Sequence, residues 1–185
     1  LTPRIRRKRV LTFAADHGVT AEGVSAYPSE VTCQMVLNFV NSGAAINVLT
    51  KEAHAELRII DVGVDAEPFP LTPNLVNAKV RRGTRNFTKE PAMNLAELGQ
   101  ALRVGREQVA LAKSVGVNLL GIGEMGIGNT TSAAALLCGL LGLEPEDIVG
   151  RGTGIDNEGL ERKLTAIRQG LTCLLYTSDA ADEWL

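Results

Sequence analysis

The sequence predicts an α/β fold of three layers, a parallel sheet flanked by helices, on three observations. Strand-like and helix-like segments alternate through the chain. The strand-like runs are short and continuously apolar, as strands buried on both faces are. Two of them close in polar or glycine-rich stretches, "AADHG" and "GIGEMG". Ligands in open parallel sheets sit beyond the carboxyl ends of the strands, so both endings are expected at a common cleft.

Each element follows from its local pattern. "RVLTFAADHG" (9 to 18) is a buried strand running into a polar turn. Pro28 suits a first helical turn, and Val31, Met35, Val36, Phe39 and Val40 recur at near-helical spacing; Gly43 breaks the run before a second helix from Ala44 to about Ala55. "ELRIIDVGV" (56 to 64) is the second strand. From Asp65 to Met93 four prolines and a basic "KVRRGTRNFTK" interrupt any period, so this is expected to be one long loop, covering substrate or touching another subunit. Helix returns from about Asn94 to Ser114 with Leu95, Leu98, Leu102 and Val109 on one face, and "VNLLGIGE" (117 to 124) is the third strand. A glycine-rich link then opens a helix at Asn129 to Thr131 that runs to about Leu141. "EPEDIVGRGTGID" is a second glycine-containing loop before a last helix from about Asn157 to Leu171.

Composition narrows the function classes. The chain has 185 residues, a formal net charge of -2 and 22% charged residues, so no global basic field favours nucleic acid. The one basic cluster, Arg4 to Arg9, reads as a solvated lead-in to the first strand. Three widely spaced cysteines, Cys33, Cys138 and Cys173, read as core thiols of a reducing, cytoplasmic setting. No apolar stretch is long enough to span a bilayer, and no leader pattern opens the chain, so neither membrane insertion nor export is expected.

The chemistry concentrates in "GIGEMGIGNTTSAAALL" (121 to 137). Four glycines permit positive φ and close approach of a ligand to backbone, and Asn129, Thr130 and Thr131 can cap a helix whose first N–H groups lack internal partners. Together these make an anion site in which backbone, not a lysine within the loop, holds a phosphate. The run contains G-x-G-x-x-G, but Glu124 within the turn would face a dinucleotide pyrophosphate, and no strand ending in an acid follows near the required distance. "GNTT" lacks the lysine of a P-loop. Glu124 is expected to face the sugar or organic end of a nucleotide, where its carboxylate supports developing positive charge; a solvated loop glutamate is the other reading. Asp16 and His17 read as a turn-forming acid and a hydrogen-bonded imidazole, since no histidine cluster with metal spacing exists.

Taken together, "FAADHGV", "GVSAYPSEVTCQM", "GAAINVL", "IIDVGVDAEP", "GIGEMGIGNTTSAAAL" and "VGRGTGID" followed by "RK" resemble the nicotinate-nucleotide:dimethylbenzimidazole phosphoribosyltransferases, the CobT family of cobalamin biosynthesis. The resemblance runs from about Arg9 to Leu171. It implies a Rossmann-like sheet and a homodimer. The implied reaction moves the phosphoribosyl group of nicotinate mononucleotide to 5,6-dimethylbenzimidazole, with no cofactor and no metal. It assigns the ribose and charge stabilisation to Glu124 and the phosphate side to Gly126, Gly128, Asn129, Thr130 and Thr131, with Gly152 and Lys163 across the cleft. Lys163 reads equally well as a solvated last-helix lysine. The benzimidazole side falls to Tyr27, Gln34, Met35 and Met125; a core role for Met35 and an exposed Gln34 are the competing readings.

The chain also departs from the family. Family members are longer, and the glutamate they use as general base lies in a C-terminal region without a counterpart here. "LYTSDAADE" looks like a translated sequencing-adapter peptide, so residues 1–171 are expected to be a partial catalytic domain and 172–185 a non-native tail. Weak or absent turnover is expected of these 185 residues alone. Two other function classes stay open from the residues: a non-catalytic mononucleotide-binding module and an NAD-dependent oxidoreductase.

Overall fold

Three apolar runs become strands, and the alternation of their side chains decides what covers each face. In the computed structural model, which describes the backbone of residues 4–182 and the side chains of 4–174, the chain divides into two compact units. The first comprises residues 1–15, 30–82 and 95–126, and the second 16–29, 83–94 and 127–185.

The first unit holds the sheet. Its strands are β1 (Lys8–Ala15), β2 (Ala55–Gly63), β3 (Leu75–Asn77) and β4 (Leu119–Met125), ordered β3-β2-β1-β4. All three pairings are parallel, with Leu11 opposite both Arg58 and Ile122, and Ile59 opposite Leu75. Period-two alternation splits the apolar residues between two layers. Ala14, Leu57, Ile59 and Met125 join Val36 and Phe39 of α1 (Glu30–Val40) and Ile46 of α2 (Ala45–Glu52). Leu11, Phe13, Ile60, Val62 and Leu120 instead pack with Val104 of α3 (Leu95–Ser114). Helices on both faces of a parallel sheet are the three-layer α/β architecture that the sequence predicts.

The second unit is helical. A 3₁₀ turn (Gly18–Glu22), α4 (Asn129–Leu141), α5 (Pro145–Ile148) and α6 (Asn157–Asp182) share two small cores. One joins Val19, Val24, Phe87 and Ala166, and the other Ala134, Cys138 and Ile167. At Gly170 a Cβ would lie 2.3 Å from Phe87 Cδ2, so only glycine allows this approach.

Several expectations need correction. The 65–93 segment is not all loop: Leu75–Asn77 pairs with β2, a strand too short to display a period. The 3₁₀ turn and α5 are single turns that sequence patterning passes over. The first helix begins at Glu30, two residues beyond Pro28. On α3 the face of Leu95, Leu98, Leu102 and Val109 is exposed, and burial falls on Val104, Gln108 and Ala112 at i, i+4 and i+8. The last helix does not stop near Leu171; its backbone continues to Asp182 because "TCLLYTSDAAD" contains neither glycine nor proline to end it. The side chains of that tail beyond Leu174 lie outside the described residues. Cys138 is buried and Cys33 and Cys173 are half-buried, with no disulfide among the described residues. Among those residues no helix is long and apolar enough to cross a membrane.

Candidate functional site

The glycine run is built in two pieces joined by the chain. β4 carries Glu124 and Met125 to the sheet rim, Gly126 to Gly128 form the link, and α4 starts at Asn129. The N-cap is Gly128, not one of the three polar residues after it, and no side chain caps the helix. This corrects the expectation that Asn129, Thr130 or Thr131 caps: they occupy the first turn itself. Gly128 is left-handed at φ 86°, and a Cβ there would lie 2.8 Å from Thr20 Cγ2 and 3.4 Å from His17 Cβ, so position and conformation both demand glycine. Its carbonyl accepts from the Thr131 and Ser132 amides at 3.1 and 3.3 Å. The amides of Asn129 and Thr130 are left without an intrahelical acceptor.

Around that first turn the second unit assembles three of the sequence-predicted residues. Lys163, on α6, is 1% exposed and donates from Nζ to Thr130 Oγ1 at 2.8 Å and to the Gly150 carbonyl at 3.0 Å. Burial pushes its pKa below the ordinary lysine value, and no carboxylate among the described residues ion-pairs with it. The reading of Lys163 as a solvated lysine is therefore overturned. Gly152 is left-handed at φ 52°, and a Cβ would fall 2.9 Å from Thr130 Oγ1 and 3.3 Å from Lys163 Nζ. A cavity of about 260 Å³ opens there, lined by Thr130, Ala134, Ile148, Gly150, Gly152 and Lys163. Thr131, fully buried, leaves its Oγ1 without a hydrogen-bonding partner.

His17 braces the same turn from below. Its Nδ1 lies 3.1 Å from Ser132 Oγ, its carbonyl accepts from the Thr20 amide and hydroxyl, and burial lowers its pKa to about 4, keeping the ring neutral. A hydrogen-bonded histidine is thus what the structure contains. No group of three or more His, Cys, Asp or Glu among the described residues is arranged to hold a metal ion.

The other predicted residues fall as follows. Glu124 faces the Phe13 side of the sheet by register and Met125 the Ala14 side. Glu124 retains a largely exposed side chain, yet partial burial of its carboxyl raises its pKa above the ordinary glutamate value. Met35 and Met125 pack against one core cluster of the first unit, and Gln34 is exposed on α1. Tyr27 is 55% exposed; its turn is tied to the second glycine loop by Thr153 Oγ1, which accepts from the Ala26 amide at 3.0 Å and lies 3.1 Å from Ser25 Oγ.

One cluster lay outside the sequence reading. Asp61, fully buried at the end of β2, accepts from the Gly63 and Val64 amides at 3.1 and 2.9 Å and pairs with Lys79 at 3.1 Å. Lys79 also donates to the Val64 and Ala66 carbonyls. An acid directly after the apolar pair Ile59–Ile60 of a buried strand is the signal that would have found it.

The fold and this site define a class: parallel α/β proteins in which a strand passes through a glycine link into a helix whose unpartnered first amides, beside a buried lysine, suit an anion. Comparison with known proteins narrows that class. A family model described as Phosphoribosyltransferase matches residues 1–184. A Thermus thermophilus protein named nicotinate-nucleotide–dimethylbenzimidazole phosphoribosyltransferase is 53% identical over 172 residues, which is 93% of this chain and 51% of the relative. A protein of the same name from Geobacter sp. strain M21 is 47% identical over 171 residues, 92% of this chain and 49% of the relative. The crystal structure of CobT from Thermus thermophilus matches with a TM-score of 0.90 at 53% identity, covering 93% of this chain and 51% of that one. The chain belongs to the phosphoribosyltransferase family, and it spans about half the length of the curated relatives it matches.

Proposed function

We propose that this chain forms the nucleotide-holding part of a pentosyltransferase that transfers the 5-phosphoribosyl group of nicotinate mononucleotide to 5,6-dimethylbenzimidazole, releasing nicotinate and giving α-ribazole 5′-phosphate. One observation carries the reading: the Lys163 ammonium, 1% exposed, is held by neutral oxygens alone beside the first turn of α4. A desolvated cation without a counter-charge is costly unless an anion completes it. In this reading the 5′-phosphate does so, taking further N–H donors from Asn129 and Thr130, with Gly126 assigned to close backbone approach, Gly128 keeping the left-handed N-cap, Gly152 leaving room beside Lys163 and Thr131 Oγ1 a further polar atom.

The chemistry asks little else of these residues. The C1′–N bond of the nucleotide ends on a pyridinium, so its electron pair returns to the ring nitrogen and the leaving group departs as a neutral pyridine ring. A benzimidazole nitrogen forms the new bond to C1′. Glu124 is assigned to the ribose, where its carboxylate stabilises the oxocarbenium-like charge. Tyr27, Gln34, Met35 and Met125 are assigned to the benzimidazole, and the base that takes its proton to the C-terminal region of the longer family members. The wider reading is a cytoplasmic homodimer that binds no nucleic acid, with residues 1–171 as a partial catalytic domain and 172–185 as a non-native tail.

Calorimetric titration of the 185-residue chain with nicotinate mononucleotide tests this. Lys163→Met is expected to weaken binding by roughly 10- to 150-fold, the loss of a charge-assisted bond. Equal affinity of the two proteins removes the reading, and tighter binding of NAD than of the mononucleotide favours an oxidoreductase.

A further inference from the structure

The first turn of α4 carries the proposed anion donors, yet no side chain caps it, so tertiary contacts must set its position. Two residues of that turn are held from outside. Thr130 Oγ1 accepts from Lys163 Nζ at 2.8 Å, and Ser132 Oγ lies 3.1 Å from His17 Nδ1. Two positions along a helix make a rotation of about 200°, so the turn is gripped on opposite sides. Lys163 lines the anion recess itself, whereas His17 stands behind the turn and is not among the residues lining that recess.

The seat of His17 leaves it little freedom. The Thr84 amide donates to the Asp16 carbonyl at 3.0 Å and the Gly18 amide donates to Thr84 Oγ1 at 3.2 Å, so both chain neighbours of His17 are tied to one residue. A Cβ at Gly18 would lie 2.6 Å from the Thr84 carbonyl oxygen, the Arg85 carbonyl carbon and the Asn86 nitrogen, so only glycine lets the backbones close there. On the other side the link into α4 rests on the same turn: a Cβ at Gly128 would meet Val19 Cγ1 at 3.6 Å in addition to Thr20 and His17. With a pKa of about 4 the imidazole is neutral at physiological pH, and its contact with the Ser132 hydroxyl joins two uncharged groups. A carboxamide carries the same kind of polar atom and can take its place.

We infer that His17 is a positioning residue for anion binding: by holding Ser132 it fixes the first turn of α4 with the Asn129 and Thr130 amides and the Thr130 hydroxyl set beside Lys163. The inference rests on the phosphate reading above. His17 does not touch the ligand. It acts through Ser132, and its loss lets an uncapped turn fray or rotate, which takes two N–H donors and a hydroxyl out of place together.

The test is calorimetric titration of the full chain and its variants with ribose 5-phosphate, with urea denaturation of each variant alongside. His17→Leu keeps an apolar branched side chain without the polar atom and is expected to weaken binding by roughly 3- to 10-fold. His17→Asn, which restores a polar atom on the same branch, is expected to recover most of that loss. Ser132→Ala should weaken binding as His17→Leu does, and the double variant should be no weaker than either single one, because both remove the same contact. A His17→Leu protein that is less stable but binds ribose 5-phosphate as the unaltered chain does has lost a structural contact only, and the inference is overturned. Should His17→Leu fail to fold, Ser132→Ala decides: reduced affinity supports the inference and unchanged affinity overturns it. If Lys163→Met weakens binding while the His17 and Ser132 variants do not, the phosphate reading stands without the inference; if the unaltered chain does not bind ribose 5-phosphate, both go.

Discussion

The two units bury a lysine in opposite ways. In the sheet unit the buried carboxylate of Asp61 meets the Lys79 ammonium, and Arg9, 5% exposed, holds Glu56 through Nε and Nη2 at 3.0 and 2.7 Å. In the helical unit Lys163 is buried more deeply than Lys79, yet its partners are one hydroxyl and one carbonyl. A charge matched within the fold is spent on holding chain segments together. One surrounded only by dipoles keeps an unmet demand, and on that ground Lys163 is proposed above to bind an anion.

The contrast breaks most visibly at Lys79. Lys79→Met strands the Asp61 carboxylate in the core and is expected to lower unfolding free energy by about 3–5 kcal/mol, whereas Lys163→Met should change it by on the order of 1 kcal/mol in either direction. Urea denaturation of the two variants side by side measures this, and equal losses would erase the distinction.

Acid titration sharpens it next. His17 has an ordinary pKa of 6.5 that burial lowers to about 4, so the folded state favours the neutral ring. Its contribution is complete above the unfolded value and is lost as pH falls from 6.5 towards 4, by up to about 3 kcal/mol. Denaturation curves collected over that range should show this slope and lose it in His17→Phe; an unchanged slope in the variant would place the acid sensitivity elsewhere. The smallest effect is expected at Gly152. Gly152→Ala puts a methyl group at positive φ against Thr130 Oγ1 and should cost about 1–2 kcal/mol while weakening phosphate binding. Thermal melts with and without inorganic phosphate report both, and a variant still stabilised by phosphate to the same degree would show that the glycine is not needed for the ligand.

Much of this architecture was legible in the residues for simple reasons. Runs such as "RVLTFAA" and "RIIDVGV" are buried on both faces and announce parallel strands, and Val36 and Phe39 mark the inner face of α1 by their spacing. Leu75–Asn77 stayed hidden because three residues cannot show a period and its pairing with β2 is a tertiary fact. The leucines of α3 pointed to the wrong face, since a helix with apolar residues around much of its surface does not declare which side is covered. At the site, the glycine run pointed to Thr130 and the family resemblance to Gly152 and Lys163, and α4 and α6 packing together brings Lys163 to Thr130. The depth of Lys163 was not legible, because a lysine beside Arg162 on a helix looks solvated until the opposing loop is in place. Asp61 and Lys79 escaped notice for the same reason: eighteen positions separate them, and only the chain returning along β2 brings them together.

The seclusion of Lys163 has a consequence for behaviour in electrolyte. Mobile ions blunt attraction between charges that both stand in solvent, but they reach poorly into a recess where the cation has already shed its hydration. A phosphate monoester captured there should hold on almost equally well as potassium chloride is raised, unlike one gripped by surface lysines.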